Sequence, residues 1–210
     1  MKERPIIFSG EMVRAILDGR KTMTRRVVKQ KKDGHRVDRC HWSKTGWAWW
    51  HDDERGGCSC KPVTPSYGHQ GDRLWVKETW SWNGPGFSLR DLEFVKPMGD
   101  KVQLLYKSDG SQADGWKPSI YMPRWASRIT LEIVSVKVER LQDISHADVL
   151  KEGIEPNQPG YYTCPNGAKY TDFQDFEWRW DSINAKRPGC AWADNPWVGA
   201  VEFKKVEVAS

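Results

Sequence analysis

Alternation of apolar and polar positions is the strongest pattern in the chain, and it marks strands more clearly than helices. Leu74-Trp75-Val76-Lys77-Glu78-Thr79-Trp80 follows the turn Gly71-Asp72-Arg73 and puts Leu74, Val76 and Glu78 on one face. Ile129, Leu131 and Ile133 alternate with Thr130 and Glu132; the phase then slips by one residue, and Val134, Val136 and Val138 carry the alternation on. A slip in mid-strand is what a β-bulge would produce, bending the strand as a small barrel requires; two shorter strands, or one strand buried on both faces near Ile133-Val134, are the plain alternatives. Pro5-Ile6-Ile7-Phe8, Val102–Tyr106 and Asn195–Phe203 read as further strands.

Helical spacing occurs in three places. Met12, Val13, Ile16 and Leu17 form an apolar stripe after Ser9, a capping residue, and Gly19 sits where a helix end needs positive φ. Ser145 is the expected N-cap of a short helix ending at Gly153, with Asp148 at N3. Glu152 falls in its last turn, where the helix dipole disfavours a carboxylate. Phe173, Phe176, Trp180 and Ile183 predict a third helix with all four in the core.

The 210 residues fit a single domain, 1–210, with insertions expected at about 30–66, 81–118 and 155–171. Mean hydropathy of −0.74 assigns much of the length to loops and surface. Thirteen tryptophans must build a core, a stacking surface or both. No apolar run is long enough to span a bilayer, and Met1–Pro5 lacks a signal-peptide core, so a cytoplasmic location without a membrane partner is expected.

Five cysteines argue against a secreted disulfide scaffold. Cys40, His41, His51, Cys58 and Cys60 could supply four ligands to a structural zinc ion in the Trp-rich insertion, with free thiols as the alternative. The alternation Trp47-Ala48-Trp49 and the pair Gly56-Gly57 suggest a hairpin carrying these residues.

The formal net charge of +5 is concentrated early. Gly19-Arg20-Lys21-Thr22-Met23-Thr24-Arg25-Arg26 holds four cations and two hydroxyls. On a turn, a spacing of three points Lys21 and Thr24 to one side; on a strand it separates them. A lysine whose pKa is depressed can serve as base to a neighbouring hydroxyl. Arg20, Arg25 and Arg26 could supply the positive field or bind phosphate, and a solvated basic turn is the plain alternative. Arg124, Trp125 and Arg128 offer groups that stack on a base or pack a strand junction. Glu78 is either a strand-end residue or a pocket carboxylate, and Trp75 lies on the opposite face of its strand.

Gly19 through Arg26, Gly71-Asp72-Arg73-Leu74-Trp75-Val76, the segment Leu141–Ile154 and the opening Arg4–Gly10 together resemble the activating-signal-cointegrator homology (ASCH) family, including its phage and prophage members. The resemblance implies an α+β, mainly β, PUA-like small barrel with short flanking helices and loop insertions. The motif Gly-Arg-Lys-Thr-x-Thr-x-Arg is similar to that of bacterial N4-acetylcytidine amidohydrolases. It implies Lys21, Thr24 and Glu152 as the catalytic residues, with Thr24 attacking the acetyl carbonyl, Lys21 accepting its proton, and no cofactor required. Arg20, Arg25, Arg26, Trp75, Glu78, Arg124, Trp125 and Arg128 are the candidates for binding a modified nucleoside, RNA or DNA. Two alternatives stay open: a non-catalytic reader of RNA or modified DNA, and a ribonuclease. Alanine at Lys21 or Thr24 is expected to abolish turnover and leave thermal unfolding nearly unchanged.

Overall fold

The computed structural model describes residues 1–28, 39–43, 46–52, 58–62, 67–83, 103–113, 115–155, 162–163 and 169–206; the side chains of 39–62, 83, 162–163 and 169–170 lie outside that description. The element order is β1 (Glu3–Ile7), α1 (Gly10–Leu17), β2 (Met23–Val27), β3 (Arg39–Ser43), β4 (Gly46–Asp52), β5 (Cys58–Pro62), β6 (Arg73–Lys77), β7 (Trp80–Asn83), β8 (Gln103–Tyr106), β9 (Thr130–Arg140), α2 (His146–Lys151), β10 (Tyr162–Thr163), β11 (Lys169–Tyr170), α3 (Asp172–Asn184) and β12 (Trp197–Val206). The chain is thus a mixture of α and β.

Five strands form the main sheet in the order β1-β6-β9-β12-β2, with β1 parallel to β6 and the other neighbours antiparallel. The predicted bulge is present. Glu202 pairs with Ser135 and Phe203 with Ile133, which leaves Val134 unmatched and turned to solvent. The apolar phase slips at that residue because the extra residue lets both halves of β9 direct apolar side chains inward.

A closed barrel was expected, and the pairings among the described residues give an open sheet with β1 and β2 at its edges. The two edges are consecutive in the chain and joined by α1. A side chain, not strand pairing, reaches across: Arg26 Nη2 donates to the Ile7 carbonyl at 3.3 Å.

Helix α1 starts at Ser9, whose hydroxyl accepts from the Met12 amide, and its Val13 and Ile16 pack on Ile6, Leu74, Val76, Leu131 and Phe203. Helices α2 and α3 build a second core with the far ends of β9 and β12, through Leu141, Val149, Phe176, Trp180 and Val198. Trp80 and Trp82 form a third core with Met122 and Ala126, so several tryptophans serve packing.

Helix α3 departs from its expected core face. Phe176 and Trp180 are buried, whereas Phe173 and Ile183 are exposed. The helix turns Asp172, Asp175 and Asn184 inward instead, because these residues hydrogen-bond at its ends and flank: Asp175 holds Arg179, and Asn184 donates to the Trp180 carbonyl.

The insertion carrying β3, β4 and β5 forms a three-stranded antiparallel sheet. Cys40 pairs with Trp49, His51 with Ser59 and Cys60 with Trp50 along its backbone. The side chains of Cys40, His41, His51, Cys58 and Cys60, and with them the zinc expectation, lie outside the described residues. No group of three metal-ligating side chains occurs among the described residues. No helix among them is long and apolar enough to cross a membrane.

Candidate functional site

Three local devices bring Lys21 and Glu152 together across 131 residues of sequence. The first ends α1: Gly19 adopts φ 75°, and the Lys21 amide donates to the Ala15 carbonyl at 2.9 Å. The second starts α2, where the Ser145 hydroxyl accepts from the Asp148 amide, so that Glu152 caps the other end of the helix. The third is a stitch between them, an isolated β-bridge of Lys21 with Glu152 supported by the Thr22 amide donating to the Lys151 carbonyl at 2.9 Å.

Gly153 makes the close approach possible. At φ 89° it occupies a conformation that favours glycine, and a β-carbon there would stand 2.9 Å from Lys21 Cβ and 3.0 Å from Ala15 Cβ.

Lys21 Nζ donates to both the Glu152 backbone carbonyl and Glu152 Oε2, each at 2.7 Å. The lysine is 2% exposed. Burial pushes its ammonium below the ordinary lysine range, Glu152 pulls the other way, and Arg26 and Arg25 add to the downward push. The opposite oxygen of Glu152, Oε1, accepts from Arg25 Nη1 at 3.2 Å.

Arg25 is fully enclosed and answers three carboxylates. Besides Glu152 it donates to Glu139 Oε1 at 2.7 Å and to Asp148 Oδ2 at 2.9 Å, and Lys137 bridges the last two acids. Burial works to raise the Asp148 carboxyl, yet Lys137 and Arg25 hold it below its usual range. Lys21, Arg25 and Lys137 therefore balance Glu139, Asp148 and Glu152 in a closed network of alternating charge.

Thr24 belongs to β2 and is wholly buried. Its hydroxyl accepts from Arg26 Nη1 at 2.6 Å. A guanidinium can only donate, so the Thr24 proton stays available for another acceptor. Lys21 and Thr24 share no hydrogen bond; the Phe8 ring is instead shared by Lys21, whose Nζ is 5.8 Å from its centroid, and by Arg26, the donor to Thr24, whose guanidinium carbon is 5.4 Å away. Lys21 precedes β2 and Thr24 lies within it, so neither the turn nor the strand rule applies alone.

A cavity of about 810 Å³ opens beside this corner, within the roughly 300–1,000 Å³ range of small-molecule sites. Glu152, Arg25 and Arg26 form one wall, Phe8, Ile7 and Met12 another, and Phe176, Trp180 and Ile183 of α3 a third. The exposed position of Ile183 follows from this: it faces the cavity. Lys21 and Thr24 stand behind the wall, with Arg26 between the Thr24 hydroxyl and the open space.

The remaining sequence candidates lie elsewhere. Arg20 pairs with Asp18 and Glu155 beside the Gly153 carbonyl. Arg124 pairs with Glu3 and lies 6.0 Å from the Trp75 ring, while Trp125 meets Trp80 edge-on. Glu78 is buried and bound by Arg128, which also holds Asp109 and stacks 3.9 Å over Tyr106. Glu78 and Ser108 border a second cavity of about 600 Å³ that shares Ser9, Met12, Thr79, Arg179 and Ile183 with the first.

Sequence reasoning missed Phe8, Lys77 and Arg187 as lining residues, and Glu139 and Asp148 as partners of Arg25. Asp148 carried a signal for its capping position only; nothing local marks a carboxylate that pairs 123 residues away. No family model, curated protein or solved structure matches this chain.

Proposed function

We propose that the chain is an ASCH-type amidohydrolase that removes an acyl group from a modified nucleoside such as N4-acetylcytidine. The observation that carries this reading is the buried Lys21–Glu152 pair at 2.7 Å, with Glu152 and the Arg26 that binds the Thr24 hydroxyl both lining a nucleoside-sized cavity. A neutral Lys21 would spend both N–H groups on Glu152 and keep its lone pair for a proton. Burial favours that neutral form.

In the reaction, the Thr24 oxygen bonds to the acyl carbonyl carbon and its proton passes to Lys21. The carbonyl π bond opens to an oxyanion, and Arg26 is the donor at hand to stabilise it. Collapse breaks the bond to N4 of the base, which leaves as the amine with the proton from Lys21. Water then cleaves the threonyl ester with Lys21 again as base, and acetate departs. Glu152 orients the amine and offsets its charge when protonated. Thr24 becomes accessible as Arg26 shifts its donors from the hydroxyl to the substrate carbonyl. The resemblance also supports a PUA-like arrangement of the sheet.

Incubation with a panel of N-acylated nucleosides, followed by mass analysis, tests the reading. Loss of the acyl group from at least one, dependent on Lys21, supports it; intact substrates throughout contradict it.

A further inference from the structure

Among the described residues, Lys21, Arg25, Arg128, Lys137 and Arg179 are partly or fully buried cations that meet carboxylates. Three cations at the cavity do not. Glu152 is the one carboxylate among its described lining residues, and Lys21 and Arg25 already balance it. Arg26, Lys77 and Arg187 border the same space and bind only neutral acceptors among the described residues. Arg26 donates to the Thr24 hydroxyl and to two backbone carbonyls. Lys77 reaches the Ile120 carbonyl, and Arg187 reaches the side-chain oxygen of the buried Asn184.

Arg26 is committed to the Thr24 corner. Half-buried Lys77 from β6 and exposed Arg187 from beyond the end of α3 are then two cations bordering one cavity without a counter-charge among the described residues. A neutral nucleoside offers them only more neutral acceptors, while a phosphate brings the opposite charge and takes several such donors at once. We infer that the cavity takes a phosphate-bearing form of its ligand, a nucleotide unit whose phosphate is held by Lys77 and Arg187 while the base lies toward Phe8 and Glu152. This rests on the nucleoside-directed reading of the site. The phosphate belongs either to a free mononucleotide or to a nucleic-acid strand.

Calorimetric titration of the whole protein with cytidine, cytidine 5′-monophosphate and a short cytidine-containing single strand separates the cases, alongside acetate release from N4-acetylcytidine. The monophosphate is expected to bind at least about tenfold more tightly than cytidine, and added salt should shrink that advantage. Lys77→Met and Arg187→Ala should each remove most of the monophosphate's advantage over cytidine, read as the ratio of the two affinities. A strand that binds more tightly than the monophosphate, with steeper salt dependence, assigns the phosphate to a polymer; equal binding assigns it to the free nucleotide. Equal affinity for cytidine and its monophosphate overturns the inference even if acetate is released. Preference for the monophosphate without acetate release keeps the inference and discards the chemistry. Binding of none of the three overturns the inference, and acetate release from N4-acetylcytidine then decides the chemistry by itself.

Discussion

Gly153 sits so close to Lys21 that a single methyl group there would come within 2.9 Å of the Lys21 β-carbon. The contact couples the end of α2 to the turn after α1, so the distance between the Lys21 amine and the Glu152 carboxylate is set by backbone packing. Gly153→Ala should cost about 1–2 kcal/mol from the left-handed backbone alone, with more from the clash. Thermal unfolding measures that loss, and turnover should fall further than the population of folded protein does, because Lys21 is displaced from Glu152.

The pH dependence follows from burial of Lys21. Activity that needs the neutral amine should rise with pH, with a midpoint below the ordinary lysine value of about 10.4. Stability should move the same way: between the lowered native pKa and the unfolded one, the unfolded chain binds the extra proton, so ΔG of unfolding rises with pH across that window. A pH–rate profile of kcat/KM and denaturant melts at several pH values check the two limbs independently.

Lys21→Ala also revises the sequence-based expectation of unchanged stability. Removing one partner of a buried ion pair costs about 3–5 kcal/mol. Arg25 still holds Glu152 in that variant, which places the loss at or below the lower end of the range. Calorimetric melting of the variant against the wild type checks the value.

Arg25 touches no substrate in this account, yet it fixes the carboxylate that fixes Lys21. Arg25→Gln should leave Glu139 and Asp148 short of a cation and destabilise the fold by about 3–5 kcal/mol. It should also move the activity limb to higher pH, since Arg25 contributes to holding the Lys21 pKa down. The double variant Arg25→Gln/Glu139→Gln removes one charge of each sign; it should recover part of the stability and keep the shifted limb.

The parts of this arrangement that were legible in sequence are those specified locally. Ser9 and Ser145 cap the helices, Gly19 ends the first one, and the phase slip at Ile133-Val134 marks the bulge. Each depends on a few adjacent residues. The charge network around Arg25 was not legible, because its partners lie 114 to 127 residues away and a strand arginine reads as surface. The outward Ile183 was misread for a related reason. Helical periodicity identifies an apolar stripe but does not say whether protein or an open cavity faces it. The expected barrel was a statement about closure, which depends on how edge strands meet and has no local signature.

The central claim is that the Thr24 hydroxyl, bound by Arg26 and served by Lys21, attacks the acyl carbon. Acetate release from N4-acetylcytidine should be compared for the wild type, Thr24→Ser and Thr24→Ala, with thermal melting as the control for folding. The wild type should release acetate, the serine variant should do so more slowly but measurably, and the alanine variant should lose roughly 10³-fold or more in kcat. A folded Thr24→Ala protein that releases acetate at the wild-type rate would contradict it.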